Sequence, residues 1–207
     1  LVIVLLFTVE LPFKIYTPGG AVNLNDRITV EDGYEVEGSF NMAYVSMVRG
    51  SIPFLLISYV IPDWDIVSSE DLTIEGENMD EALARERLYM QQSIDAAIIN
   101  AYKAAGKDIT IIRTINEVSY LTKEADTDLK IGDQILSVNG EDISSLEDLK
   151  TIIGNMDAGE RVSLKVLRDE EEKECFAVTY EAEGMKIGVS LLTTYEYETD
   201  PEVTITS

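Results

Sequence analysis

The residue types that most enzymes use for acid–base or nucleophilic chemistry are largely missing from this sequence. It contains no histidine, which excludes Ser-His-Asp sites, Cys-His sites and the HExxH zinc motif. It also has no GxSxG nucleophile elbow and no phosphate-binding P-loop. Asp63 and Asp65 are paired carboxylates that an acid–base hydrolase could use, but such alternate positions usually face solvent and nothing else converges on them. We therefore predict no catalytic residue in these 207 residues.

Metal and disulfide chemistry find equally little support. The charged run from Arg168 to Lys173 could be imagined as a calcium site, but metal loops need spaced ligands and a fixed turn. A run of mixed charge is typical of a solvated hairpin end. Cys175 is the one cysteine, which excludes an intramolecular disulfide, and the alternating run KECFAVTY predicts a small buried strand residue there. We predict no metal site and no cofactor.

Charge and length limit the class of protein. The formal net charge is −23 and the pI is about 4.1, so phosphate backbones and anionic membrane surfaces would be repelled. We therefore expect no nucleic-acid partner. With 207 residues and 45% hydrophobic content, the chain can form one large or two small globular domains.

The segment LKIGDQILSVNGEDI, Leu129 to Ile143, predicts a compact β element. Its IGD triplet indicates a turn, QILSV a short strand, and Asn139-Gly140 a tight reversal that tolerates positive φ. A helix should follow, because Ser145 and Asp148 have capping-box spacing. Its apolar face would carry Leu146, Leu149 and Ile153.

One long helix precedes this segment. MDEALARERLYMQQSIDAAIINAYKAAG has a helical apolar stripe, opens after Asn78 with Glu81 at capping distance, and closes at Gly106. Residues 11 to 77 before it are β-rich and irregular, with turn signals such as Pro18-Gly19-Gly20.

Alternating runs predict strands after the long helix. Ile109 and Ile111, then Val118 and Tyr120, alternate on either side of Asn116 and predict a hairpin that turns there. A second hairpin is expected from Arg161 to Arg168 and from Lys173 to Tyr180.

Two apolar runs have other interpretations. LVIVLLF, at residues 1 to 7, is either a buried strand or the tail of a membrane anchor, since a spanning helix needs roughly 20 such residues. IPFLLISYVIP, Ile52 to Pro62, is bounded by prolines and predicts a core strand or helix.

Residues 105 to 181 resemble a bacterial PDZ domain, on the strength of LKIGDQILSVNGEDI, the VNG turn and the helix opening SSLEDL. The resemblance implies that a peptide adds as a strand beside Asp108 to Arg113, between that strand and the helix from Leu146 to Ile153. The loop Ala105 to Lys107 would hold the peptide carboxylate, although it lacks the family's apolar glycine pattern. The implied peptide-binding residues are Gly106, Lys107, Ile109, Ile111, Leu146, Leu149 and Ile153. Ile109 and Ile111 could instead fill the sheet core, and Lys107 could serve as a helix-end cation.

A wider resemblance covers nearly the whole chain. LPFKIYTPGG, EVEGSFNM and RLYMQQSIDAAIINAYKAAGKDI are similar to membrane-anchored, PDZ-containing Lon-like proteases of Gram-positive bacteria. That family implies a single-pass anchor, extracytoplasmic domains and a Ser-Lys dyad in a proteolytic domain that follows a strand like PEVTITS. No serine or lysine of this sequence matches the dyad. The implied function is substrate recognition for a cell-surface peptidase of secreted or membrane-associated polypeptides, and the alternative is a stand-alone PDZ adaptor that binds a peptide without catalysis.

The resemblances complete the predicted organisation. We expect an α+β fold with a remnant anchor at 1–9, a β-rich extracytoplasmic region at 10–77, the long helix at 78–106, the PDZ domain at 107–182 and the start of a Lon-like protease domain at 183–207. Because the PDZ strands would be complete before residue 183, the tail should be poorly ordered or paired with a neighbouring molecule.

Overall fold

The chain forms two compact units in the computed structural model, which describes residues 6–34 and 37–206. The first unit comprises Leu1–Ile74 with Pro201–Ser207, and the second comprises Glu75–Asp200. Helices and strands occur together in one strand-rich chain, so the predicted α+β class is confirmed.

Three helices and thirteen strands lie entirely within residues 6–34 and 37–206. In chain order they are β1 (Phe13–Asn23), β2 (Ile28–Val30), β3 (Asn41–Arg49), α1 (Ile52–Ser58), β4 (Asp65–Ser68), α2 (Met79–Ala105), β5 (Asp108–Leu121), β6 (Gln134–Val138), β7 (Glu141–Asp142), α3 (Leu146–Gly154), β8 (Arg161–Arg168), β9 (Glu171–Val178), β10 (Tyr180–Glu181), β11 (Met185–Lys186), β12 (Val189–Asp200) and β13 (Val203–Ile205). Single 3-10 turns lie at Leu24–Asp26 and Ser69–Leu72.

The second unit is built on one antiparallel sheet. Its strand order is β12-β5-β6-β8-β9, with β7 paired to β6 and a separate small ladder between β10 and β11. In the first unit, one sheet has the order β3-β1-β4 and a second pairs β13 with β2.

The long helix α2 has the end signals that its sequence indicated. Asn78 accepts hydrogen bonds from the backbone of Asp80 and Glu81, and the Glu81 carboxylate accepts one from the Asn78 N–H, which completes a capping box. Gly106 ends the helix with a φ of 64°, and its N–H donates to helix carbonyls.

The predicted hairpin at Asn116 is wrong, because β5 continues through that residue as a single strand. The Asn116 side chain is buried and has partners outside its own strand, which a turn residue would not need. Its Oδ1 accepts from Thr193 Oγ1 at 3.0 Å, and its Nδ2 donates to the Ser144 carbonyl at 3.5 Å. Asparagine favours turns because its side-chain amide can hydrogen-bond to the nearby backbone. In Asn116 the amide instead bonds to groups that are distant in sequence.

The IGD turn is held by a buried carboxylate. Asp133 is fully buried, accepts from the Lys130 N–H at 2.7 Å, and forms an ion pair with Arg168 on β8 at 2.6 Å. Gly132 takes a φ of 93°, which a residue with a side chain rarely adopts. The turn thereby ties the entry of β6 to β8.

The core of the second unit joins α3 to the sheet. Leu149 and Ile153 of α3 pack with residues of β6, β8 and β9 in one cluster. Cys175 is buried in that cluster on β9, as predicted. Arg161–Arg168 and Glu171–Val178 form the second predicted hairpin, with positive φ at Asp169 and Glu170 between them.

The first unit buries much less. The apolar run at Ile52 does form a helix, but the prediction that it lies in a core is wrong for Leu56 and Val60, whose exposed fractions are 63% and 81%. No helix of residues 6–34 or 37–206 is long and apolar enough to cross a bilayer. Most of the run LVIVLLF, at positions 1–5, lies outside the described residues.

Candidate functional site

The strand at one end of the main sheet is β12, which lies in the tail predicted to be poorly ordered or paired with a neighbouring molecule. It pairs antiparallel with β5 from Val189 opposite Leu121 to Asp200 opposite Asp108. The prediction of a disordered or intermolecular tail is therefore wrong. The tail joins the sheet because its alternation places Val189 and Leu191 against the same core cluster that contains Val118 of β5.

This pairing also takes one side of the strand beside which a ligand was expected. Asp108 to Arg113 of β5 face Glu196 to Asp200 of β12. A ligand that adds to this side of the sheet must therefore pair with β12, whose only strand partner among the described residues is β5.

The direction of each backbone group on β12 follows from its partners. The carbonyls of Gly188 and Ser190 accept from Thr122 N and Ser119 Oγ of the β5 segment, at 2.8 and 3.1 Å. Since neighbouring strand residues point their N–H and C=O groups to opposite sides, Val189 and Leu191 direct theirs away from β5. These two residues form the open edge.

Helix α3 contacts β11, the short strand that precedes this edge. At its start, the Ser144 carbonyl is joined to Thr193 of β12 through the Asn116 side chain. Further along α3, Leu149 and Ile153 share the core cluster with which Val189 and Leu191 pack. An open strand edge with a helix nearby is the arrangement used when an extended peptide joins a sheet.

A glycine-bounded loop leads into the open edge. Gly188 takes a φ of 75°, and an added Cβ would lie 2.7 Å from the Ala125 Cβ, so only glycine fits there. Ile187 is buried in the core, while Lys186 is exposed. An exposed cation thus lies three positions before the first residue of β12, at the end of β11.

The predicted peptide-binding residues fall in two separate places. Ile109 and Ile111 pair with Thr199 and Tyr197, and Tyr197 is six positions beyond Leu191, or about 20 Å along an extended strand. Gly106 and Lys107 form the C-terminal cap of α2, where both backbone N–H groups donate to helix carbonyls.

The α3 members of the predicted set differ in burial. Leu146 is exposed to 36% on α3, whereas Leu149 and Ile153 are buried in the core. The structure thus places Leu149 and Ile153 in the core cluster against which Val189 packs, whereas Ile109 and Ile111 pair with the far end of β12. Their contact with a ligand stays a prediction.

Carboxylates cluster where α2 meets β12. Asp95 of α2 is only 1% exposed, and its Oδ2 accepts from the Tyr195 N–H at 2.9 Å. Burial raises the pKa of Glu117 on β5, and the nearby charge of Asp95 acts in the same direction, while a hydrogen bond from Thr194 Oγ1 at 3.1 Å opposes it. Burial and Asp95 also raise the pKa of Tyr197.

A second concave feature lies on β8 and β9. This cleft of about 340 Å³ is lined by Asp128, Asn139, Arg161, Ser163, Glu174, Cys175 and Phe176. The Arg161 guanidinium stacks 3.9 Å from the Phe176 ring centroid. Burial raises the pKa of the Cys175 thiol, which disfavours the thiolate that a nucleophile needs.

The paired carboxylates Asp63 and Asp65 lie in the first unit. Asp65 begins β4 opposite Tyr16, and Asp63 lies before it with a φ of 69°. Within residues 6–34 and 37–206, no three cysteine or acidic side chains are grouped so that they could hold a metal ion.

The open edge could have been found from a signal already in the sequence. Ile187-Gly188-Val189 is an apolar segment with a central glycine, the kind of pattern that was missing at Ala105 to Lys107. Alternating residues follow it. The segment lies after the predicted closing strands of the domain and not before its first strand, so it is not among the predicted peptide-binding residues.

Comparison with known proteins supports the domain assignment. Residues 105–177 match the family model described as PDZ domain. No curated protein matches the chain. The matched segment runs from the end of α2 into β9, and β12 extends the same sheet beyond it. Residues 105–177 of this chain are therefore a PDZ domain.

Proposed function

We propose that the second unit binds extended peptides on the open edge of β12, beside α3. The observation that carries this proposal is the outward direction of the Val189 and Leu191 backbone groups next to a helix. A PDZ domain supports a role in peptide binding or protein interaction. Main-chain pairing supplies sequence-tolerant affinity, and the side chains of α3 supply an apolar contact.

The loop before β12 defines the orientation of the ligand. An antiparallel peptide would place its C-terminus at the Gly188 end of the edge, within the field of the exposed Lys186. A carboxylate gains a charge-assisted interaction there, which an amidated terminus lacks. We therefore propose peptide C-termini with an apolar last residue as the ligand class.

An NMR titration tests this assignment. ¹⁵N-labelled chain is titrated with a hexapeptide that ends in an apolar residue, as the free acid and as the amide. Shifts are expected at 186–193 and 146–153, with micromolar or weaker affinity. Lys186→Glu should weaken binding of the free acid by about tenfold, since charged hydrogen bonds contribute about 1.5–3 kcal/mol, and should leave the amide nearly unchanged.

Lys107→Glu is the matched control, because it makes the same charge change at the earlier candidate loop. Loss of binding in Lys107→Glu with no effect of Lys186→Glu would move the site to the Gly106 to Ile111 group. Shifts confined to residues outside both loops and α3 would reject peptide binding on this sheet edge.

We further propose that this domain recognises substrates for a Lon-like Ser-Lys peptidase that is anchored in the membrane of a Gram-positive bacterium. The support is the sequence resemblance of LPFKIYTPGG, EVEGSFNM and the α2 segment. Determining the coding sequence downstream of Ser207 tests it. A glycine-flanked serine followed by a lysine would support the proposal, and a stop codon would favour the adaptor.

Activity gives a separate test of the same proposal. The 207-residue chain should not hydrolyse casein, because it has no identifiable base or activated nucleophile. A chain with the dyad should cleave casein without ATP, since these residues contain no P-loop. Cleavage by residues 1 to 207 alone would contradict this assignment.

A further inference from the structure

The outer edge of β12 is divided into an open part and a covered part. By the alternation that makes Val189 and Leu191 point outward, Thr193 and Tyr195 point outward too. The backbone groups of both residues form hydrogen bonds with side chains of α2. Gln92 Nε2 donates to the Thr193 carbonyl at 3.4 Å, and the Tyr195 N–H donates to Asp95 Oδ2 at 2.9 Å.

The cover is held firmly in place. Asp95 is 1% exposed and accepts two further hydrogen bonds, from Gln91 Nε2 at 2.8 Å and from the Tyr197 hydroxyl at 3.5 Å. A ligand that displaced Asp95 from Tyr195 would leave a buried carboxylate with fewer donors, which is unfavourable. The α2 contact is therefore a stable edge cover, comparable to the ways in which other proteins protect exposed strand edges.

We infer that Gln92 and Asp95 of α2 form a stop that limits ligand pairing to Val189 and Leu191. This inference rests on the proposed peptide-binding function. An antiparallel ligand enters with its C-terminus at Gly188 and reaches the stop after about three paired residues. The residues upstream of these must leave the sheet. The site therefore selects short, freely accessible chain termini and rejects long strands or internal β segments.

Peptide length provides the direct experiment. Two peptides with the same C-terminal sequence, of four and eight residues, are compared on the wild-type chain by calorimetry and by amide hydrogen exchange. Their Kd values should agree within about twofold. Leu191 should gain exchange protection with both peptides, and the exchange rate of the Tyr195 amide should stay the same in free and bound protein.

Two results would reject the inference that Gln92 and Asp95 limit ligand pairing. One is an affinity gain of about fivefold or more for the longer peptide, the gain expected from one additional net hydrogen bond. The other is a chemical-shift change of the Gln92 side-chain amide with the longer peptide only, which would show that α2 yields its place. Absence of any effect on Val189 and Leu191 would instead reject the proposed function.

Variants at Asp95 test the cover without any ligand. Asp95→Ala should accelerate exchange of the Tyr195 amide by about fivefold or more, because its acceptor is removed. Asp95→Asn keeps an acceptor oxygen and should retain most of the protection. Unchanged exchange of the Tyr195 amide in Asp95→Ala would contradict the proposed cover by α2. Comparable acceleration in both variants would show that general packing protects this amide, and would reject a specific role of the Asp95 carboxylate as acceptor.

Discussion

The first and second units differ in how they use their apolar residues. In the second unit, strands from β5 to β9 and the helix α3 bury one continuous cluster of aliphatic side chains. In the first unit, Ile15 is the one apolar side chain that counts as buried among the described residues, while Met42, Tyr44 and Val45 on β3 are exposed. Apolar content alone does not produce a core, because a two-sided sheet needs a second layer to cover each face.

The largest expected difference between the two units is in the free energy of unfolding that is lost when an apolar side chain is truncated. Leu164 on β8 is fully buried, so Leu164→Ala should lower the free energy of unfolding by about 2–5 kcal/mol. Val45→Ala in the first unit should change it by less than about 0.5 kcal/mol, since Val45 is 64% exposed. Urea unfolding followed by circular dichroism reports the first change, and Trp64 fluorescence reports the second. Equal losses would show that the face of β3 is covered in solution.

Two glycines with positive φ sharpen the comparison at the level of the backbone. Gly188 and Gly38 have φ values of 75° and 96°, but only Gly188 has neighbours that an added Cβ would meet. Gly188→Ala should therefore cost about 1–3 kcal/mol beyond the backbone strain that both variants share. It should also weaken peptide binding by distorting the entry to β12. Thermal unfolding of the two variants measures the difference, and a larger loss for Gly38→Ala would contradict the packing around Ala125.

The smallest expected effect is a change in pH dependence in the second unit. The raised folded-state pKa of Glu117 means that the folded protein binds this proton more tightly than the unfolded chain. Stability from this group is therefore fully present below its unfolded pKa and is lost as the pH rises through the folded value. Glu117→Gln should raise the melting temperature slightly at pH 7–8 and flatten its dependence between pH 4 and 8. A lower melting temperature at pH 8 would contradict the burial of this charge.

Features that depend on a few neighbouring residues could be predicted from sequence. Asn139-Gly140 does adopt positive φ at both residues, and Ser145 and Asp148 do form a capping box. The PDZ assignment also followed from local sequence, since its turn and helix signals lie between Leu129 and Met156. Each of these depends on hydrogen bonds within a few residues.

The predictions of a hairpin at Asn116 and of an unpaired tail failed for a common reason. Asn116 is a turn former in isolation, but its amide is satisfied by Thr193 and Ser144, which are distant in sequence. Nothing near Asp108 indicates that Asp200 will lie opposite it.

By itself, the sequence determined the two capped helices α2 and α3, the Asn139-Gly140 turn and the β8–β9 hairpin, because capping, glycine conformation and alternation act over short range. It also determined the acidic character of the chain and its lack of histidine chemistry. The tertiary structure alone decided that β12 covers β5, that Val189 and Leu191 remain open, and that Asp95 covers Tyr195. The physical reason is that every strand offers the same backbone donors and acceptors, so only the packing of distant side chains selects which strand occupies an edge.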